Sequence, residues 1–221
     1  MNESPSNSSS NSSSAGLPNS PKKNLLASLR DFFVSQPRVY KDSAREFTQL
    51  TSVAGVGMVL AVSIVLSFFN IYVTETLRIG PAYLATAMLG MLYGPVTGGI
   101  AAGLGDILKY LIKPSGPFFP GYTLTALLGG VVYGSFLYKN KVTVLRCVIS
   151  KTLINVFLNL GLNTLWSSIL YGKGFFAILI PRVYANVALL PLQIILLYAL
   201  LKAIVVLMPR IQNRSRQRRE P

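Results

Sequence analysis

Apolar residues run almost unbroken from about residue 48 to about residue 208, divided by a few glycine, proline and basic breaks. The pattern lacks the polar face of a soluble helix. Its runs approach 20 residues, the length that crosses a bilayer core. It predicts six spanning helices. The first covers roughly Thr48 to Ile71, and a second, short one covers roughly Pro81 to Tyr93. Gly94-Pro95 turns the chain into a third that reaches about Ile112. A stiff loop with prolines at 114, 117 and 120 precedes a fourth from roughly Tyr122 to Leu137. The fifth covers roughly Val144 to Leu170, and the sixth roughly Arg182 to Met208, after a loop over Tyr171–Pro181. The fold class expected is an all-α integral membrane protein, a six-transmembrane-helix bundle.

The ends differ from this middle. Residues 1–21 are rich in Ser and Asn and cannot build a core, so a disordered tail is expected. No basic n-region followed by an apolar stretch precedes Lys22, as a signal peptide would require. In residues 22–47, Leu25, Leu26, Leu29, Phe32 and Phe33 share one helical face beside Lys22, Lys23 and Arg30. That pattern fits an amphipathic helix on the cytoplasmic leaflet, in contact with lipid, and equally a helix packed on the protein itself. Residues 48–208 form the membrane domain, and residues 209–221 a basic tail.

Composition narrows the chemistry. The chain is 51% hydrophobic and 13% charged, with a mean hydropathy of +0.49. The net charge of +14 could suggest nucleic acid, but no motif for binding it is present, and basic residues collect in the cytoplasmic segments of membrane proteins. One cysteine, Cys147, allows no internal disulfide, and there is no histidine to act as general base or metal ligand. No phosphate-binding loop of the G-x-x-x-x-G-K-[ST] type occurs. A catalytic set is missing, so no enzymatic activity, metal or cofactor is expected.

Charge also orients the spans. Fourteen of the 21 basic residues fall before the first span, in the basic loop Tyr138–Arg146, or after the sixth. That bias puts both termini in the cytoplasm. Asp106 and Lys109 then lie in the outer part of the third span. Lys151, Asn155, Asn159 and Asn163 recur every four residues on one face of the fifth, with Asn159 and Asn163 in its outer half and Trp166 just beyond. Arg182 and Asn186 start the sixth span near the same surface. Tyr122 and Thr125 enter the fourth from that side, and Arg78 closes the first outer loop. Taken singly, each Asn could be an interhelical hydrogen bond, and Asp106 could pair with Lys109. Together they outline a pocket in the outer half for a flat, polar, anionic molecule. The inner half holds little beyond Lys151 and Asn155.

Two stretches carry a resemblance: LRIGPAYLATAMLGMLYGPVTGGIAAGLGDILKYLIKPSGPFFPGYTLTALLGGVVYG at 77–134, and ISKTLINVFLNLGLNTLWSSILYG with the later PRVYAN at 149–186. The chain resembles the substrate-binding (S) components of energy-coupling factor (ECF) transporters, prokaryotic vitamin importers, and is most similar to the folate-specific ones. The resemblance covers about residues 48–207. It implies a six-helix bundle that binds one vitamin near the extracellular face, under the loops after spans one, three and five. It further implies docking on an ECF module of one transmembrane coupling protein and two ATPase subunits, with release inside when the S component topples in the cell membrane. Docking in the family uses a small-residue A-x-x-x-A-like motif on the first helix. Ala54, Gly57 and Ala61 are the matching candidates, with Gly57 in place of the motif's first Ala. The glycines between 90 and 105 would suit a toppling protein's smooth faces.

Folate suits the polar groups chemically. Asp106, Asn159 and Asn163 are the candidates for its pterin edge, and Phe118, Tyr122 and Trp166 for stacking on its face. Arg78, Lys109 and Arg182 are the candidates for its glutamate carboxylates. Another vitamin on the same fold, such as riboflavin, thiamine or pantothenate, is the alternative. A small membrane enzyme is the remaining class.

Overall fold

The computed structural model describes residues 37, 39–44, 50–72, 78–114, 116–140 and 142–217, with side chains omitted at 50, 51, 71, 72, 78, 79 and 208–217. The expected Ser/Asn-rich tail, and most of the amphipathic segment before residue 48, lie outside them. Helix α1, Leu50–Phe68, is apolar nearly throughout, and its Ser67 hydroxyl donates back to the Ile64 carbonyl at 2.6 Å. A two-residue antiparallel pair follows, β1 (Ile71–Tyr72) and β2 (Arg78–Ile79), with Ile71 opposite Ile79. Helix α2 spans Ala82–Ile112 and α3 spans Pro120–Leu137. Helix α4, Val144–Leu153, continues as a nine-residue π-helical stretch, Ile154–Leu162, and then as α5, Asn163–Tyr171. Gly172 ends α5 in the left-handed conformation at φ 62°, as helix C-termini favour. Helix α6 runs Phe175–Gln217.

Helix α2 is broken by Gly94, whose φ of 81° and ψ of −174° suit only glycine. The break folds the helix back on itself. A Cβ on Gly98 would stand 2.9 Å from the Cα of Gly90, whereas straight helix would hold the two residues roughly 12 Å apart. The arms 82–93 and 95–112 therefore lie side by side, and α3 packs into both. Its Gly134 backbone nitrogen would meet a Cβ on Gly90 at 2.6 Å. These glycines lie inside the protein, not on an outer sliding face: Gly90, Gly94, Gly98, Gly99, Gly103 and Gly105 are all buried.

The fold-back is held by the short helical piece at 39–44. Ser43, fully buried, accepts the Val96 and Thr97 amides at 3.0 and 3.1 Å and donates to the Tyr93 carbonyl at 2.7 Å. Thr97 returns a bond from its hydroxyl to the Ser43 carbonyl at 2.6 Å. This serine supplies acceptors to amides at the start of the second arm, which lack intrahelical partners. Lys139, at the same end, donates to Asp42 at 2.8 Å, and that bond raises the lysine above its ordinary pKa. Residues 39–44 are thus packed on the protein, whereas the amphipathic pattern at Leu25–Phe33 lies outside the described residues.

The core gathers Ala87, Tyr133, Leu137, Cys147, Ile154, Leu158, Leu197 and Leu201 from four helices, with a second cluster of Val59, Ala85, Leu89 and Ala101 where α1 meets α2. Outside it, Met58, Phe157, Phe176, Tyr184, Val187 and Ile195 are exposed. An apolar exterior around a packed interior is what a hydrocarbon solvent requires. Three helical runs, Ala82–Ile112, Val144–Tyr171 and Phe175–Leu207, are long and apolar enough to cross a membrane, and Ser52–Phe68 is a shorter apolar helix. The protein is a helical membrane protein.

One boundary differs from expectation. The sixth span was to begin at Arg182, after a loop ending in Pro181. The helix instead begins at Phe175, and Pro181 lies within it. Proline is tolerated inside membrane helices, where neighbouring groups satisfy the freed carbonyl. Arg182 is consequently about two turns into the helix and buried.

Candidate ligand site

Two cavities meet at Asp106 and Tyr122. The larger, about 350 Å³, lies among both arms of α2, α3, the π-helical stretch and α6. Asp106, Tyr122, Asn159, Asn163 and Arg182, all singled out from the sequence, line it. The smaller, about 240 Å³, lies under the loop that joins α2 to α3. Lys109, Lys113, Phe118 and Phe119 line it, together with Tyr171 from the end of α5 and Asn70 beside the β pair.

The wall carried by the π-helical stretch and α5 is a ladder of amides. Asn159 donates to the Asn155 side-chain oxygen at 3.0 Å, and Asn163 donates to that of Asn159 at 3.1 Å. The ladder uses both ends of the Asn159 amide but only one end of each outer amide, and leaves Asn155 Nδ2 and Asn163 Oδ1 buried without a hydrogen-bond partner. π-Helical turns are rare and concentrate at functional sites. This one carries Asn159 into the wall, with the buried Asn155 bonded to it.

A second network locks the wall to its neighbours. Arg182 Nη2 donates to Ser167 Oγ at 2.7 Å, while Nη1 reaches the Asn159 carbonyl at 3.4 Å and Thr164 Oγ1 at 3.5 Å. Ser167 spends its own proton on the Asn163 carbonyl at 2.8 Å. It must therefore accept from Tyr122, whose hydroxyl is 2.8 Å away. One serine so joins α3, α5 and α6. The guanidinium of Arg182 is directed along the wall toward hydroxyls and a backbone carbonyl. Asp106 accepts from Thr123 at 2.9 Å, a partner on α3 rather than its own helix. An acceptor-only carboxylate held at the junction of the cavities suits donors on a ligand.

The remaining predicted residues fall elsewhere. Lys109 and Phe118 line the smaller of the two cavities, Phe118 lying 5.1 Å from Tyr110 between ring centroids. Trp166 lines neither cavity. Its indole donates to Thr125 Oγ1 at 3.1 Å, and its ring lies 5.6 Å from that of Phe119, so it buttresses α3 from behind. Arg78 sits in β2 opposite Tyr72, with its side chain outside the described residues. Ala54, Gly57 and Ala61 are exposed on α1, and nothing lies within 4 Å of where a Gly57 Cβ would stand.

Sequence reasoning missed the inner end of the larger cavity. Tyr83, Thr86, Tyr133, Lys151 and Gln193 line it. Lys151 and Asn155 were visible as the start of the four-residue ladder. The four others were not: a tyrosine, threonine or glutamine in an apolar run carries no sign of what it faces.

Known proteins bear on this geometry. Residues 51–201 match the family model described as ECF transporter, substrate-specific component. A folate transporter FolT of Clostridium novyi is 36% identical over 145 residues, covering 66% of this chain and 84% of that protein. A folate transporter FolT of Leuconostoc mesenteroides is 28% identical over 155 residues, covering 67% and 83%. A crystal structure of FolT bound with folic acid superposes with a TM-score of 0.65 at 36% identity, covering 69% of this chain and 93% of that one.

Proposed function

The chain belongs to the family of ECF transporter substrate-specific components, and we propose that it is the folate-binding member of such a transporter. It captures folate at the extracellular side of the cell membrane and delivers it through an ATP-driven coupling module. The observation that carries this reading is the pair of adjacent cavities that share Asp106 and Tyr122. The larger is lined by hydrogen-bonding groups of mixed sense, Asp106, Asn159, Asn163 and Arg182, beside the ring of Tyr122. The smaller carries two lysines, Lys109 and Lys113. A flat ring with a donor–acceptor edge, joined to an anionic tail, has the matching order of chemistry. Likeness to a FolT bound with folic acid supports the same assignment.

In this reading the ring occupies the larger cavity and the glutamate carboxylates meet Lys109 and Lys113. Arg182 shapes the ring's wall, since its Nη atoms are directed to Ser167, Thr164 and the Asn159 carbonyl. Trp166 acts through Phe119 and Thr125, and Arg78 remains a candidate for the tail. The membrane topology proposed is six spans: α1, the two arms of α2, α3, the α4–α5 rod and α6. Both termini are cytoplasmic, as the basic residues require. The exposed small residues Ala54, Gly57 and Ala61 are proposed to meet the transmembrane coupling protein of the ECF module. The chain itself is not an enzyme.

Reconstitution tests this. Vesicles holding the coupling protein, the two ATPases and this chain are expected to take up labelled folic acid when ATP is supplied on the ATPase side, and to fail when this chain is omitted. Uptake that does not depend on this chain would overturn the reading.

A further inference from the structure

Lys151 lies at the inner end of the larger cavity, seven residues beyond the first residue of α4, Val144. It is 2% exposed and lines the cavity. Its ammonium stands 3.8 Å from the centroid of the Tyr83 ring. That ring is anchored, because the Tyr83 hydroxyl donates to the Gln193 carbonyl at 3.1 Å. Among the described residues, Asp106 is the one acid that lines the cavity, and it also lines the other cavity. A buried ammonium against a ring face still lacks a strong oxygen or nitrogen acceptor, which its desolvation calls for.

The other polar groups that line the cavity decide what kind of acceptor fits. Gln193 Oε1 and the Tyr133 hydroxyl are buried without hydrogen-bond partners, and both residues line the same cavity. One turn past Lys151, Asn155 Nδ2 is likewise buried and unpaired. A carboxylate would satisfy the lysine but would offer nothing to the Gln193 oxygen in the same cavity, an acceptor that needs a donor. A heteroaromatic edge that alternates an oxo oxygen with ring N–H and amino groups meets both needs.

We propose that Lys151 is a specificity-determining residue that donates to the oxo oxygen of the ligand's ring edge and so selects an oxo ring over its amino counterpart. The inference rests on the folate reading above, and it assigns the ring edge to the Lys151–Gln193 end of the cavity. In folic acid the group concerned is the 4-oxo oxygen. In aminopterin an amino group replaces it and would turn a donor toward the ammonium.

The test is titration of the purified full chain with folic acid, aminopterin and pteroic acid, which keeps the ring but lacks the glutamate. The wild-type protein is expected to bind folic acid at least about tenfold more tightly than aminopterin, the scale of a hydrogen bond to a charged group. Lys151→Met is expected to weaken folic acid and pteroic acid alike by about ten- to a hundredfold and aminopterin far less, so that the preference collapses. Lys151→Gln, a neutral donor, should recover part of it. A wild-type protein that binds aminopterin as tightly as folic acid overturns the proposal, whatever the variants do. So does a Lys151→Met protein that loses all three ligands equally, or one that loses folic acid but keeps pteroic acid, which would make Lys151 a carboxylate site. If the wild-type protein binds none of the three, the folate reading itself fails and this assignment with it.

Discussion

Arg182 Nη2 lies 2.7 Å from Ser167 Oγ, and that contact joins α6 to α5 at the cavity wall. Loss of the arginine removes its ties from α6 to the wall, at Ser167, Thr164 and the Asn159 carbonyl, and leaves the Tyr122–Ser167 bond alone to hold the serine to α3. Arg182→Ala is therefore expected to weaken folic acid and pteroic acid to a similar degree, by roughly tenfold or more, the scale of a buried charge-assisted bond. Calorimetry on both ligands checks this. A loss confined to folic acid would return the arginine to the carboxylates.

Lys109 should behave in the opposite way. It lines the smaller cavity beside Lys113, away from the amide ladder. Lys109→Ala is expected to lower the affinity for folic acid by about threefold to thirtyfold and to leave pteroic acid unchanged. The ratio of the two dissociation constants reads the effect directly, and an unchanged ratio would remove Lys109 from the tail's site.

The fold-back at Gly94 should be sensitive to a single methyl group. Its φ of 81° is strained for any other residue, and a Cβ there would stand 2.6 Å from the Cβ of Ser43. Gly94→Ala is expected to destabilise the protein by about 1–3 kcal/mol. Ser43→Ala, which strips the Val96 and Thr97 amides of their acceptor, should cost about the same. Thermal unfolding in detergent measures both, and a wild-type melting temperature in either variant would contradict the role given to that residue.

Much of the site could be read along the chain because its signals are local. Asn155, Asn159 and Asn163 recur every four residues, and that spacing alone put them on one face, although the π-helical geometry was not visible in it. Asp106 and Tyr122 stood out as polar groups in apolar runs that share one loop. Other contacts depend on the fold-back at Gly94, which sets Tyr83 against Lys151 across 68 residues of sequence. No periodicity within a helix encodes such a pairing. The start of the last helix was misplaced because Pro181 looked like a loop end, a rule that holds in water and weakens in a membrane interior. Ser43 gave no signal, since an isolated serine ahead of a span resembles any other.

Gly57 separates capture from delivery. Nothing lies within 4 Å of its missing Cβ, so a larger side chain fits the isolated protein. Gly57→Leu is expected to bind folic acid with wild-type affinity yet to abolish ATP-driven uptake in vesicles that contain the coupling module. Full uptake by this variant would move the docking surface elsewhere on the protein.

Direct binding reaches the central claim without a partner protein. The purified chain, titrated in parallel with folic acid, riboflavin, thiamine and pantothenate, is expected to show saturable one-to-one binding of folic acid and no measurable binding of the other three. Saturable binding of one of those vitamins, with none of folic acid, would contradict it.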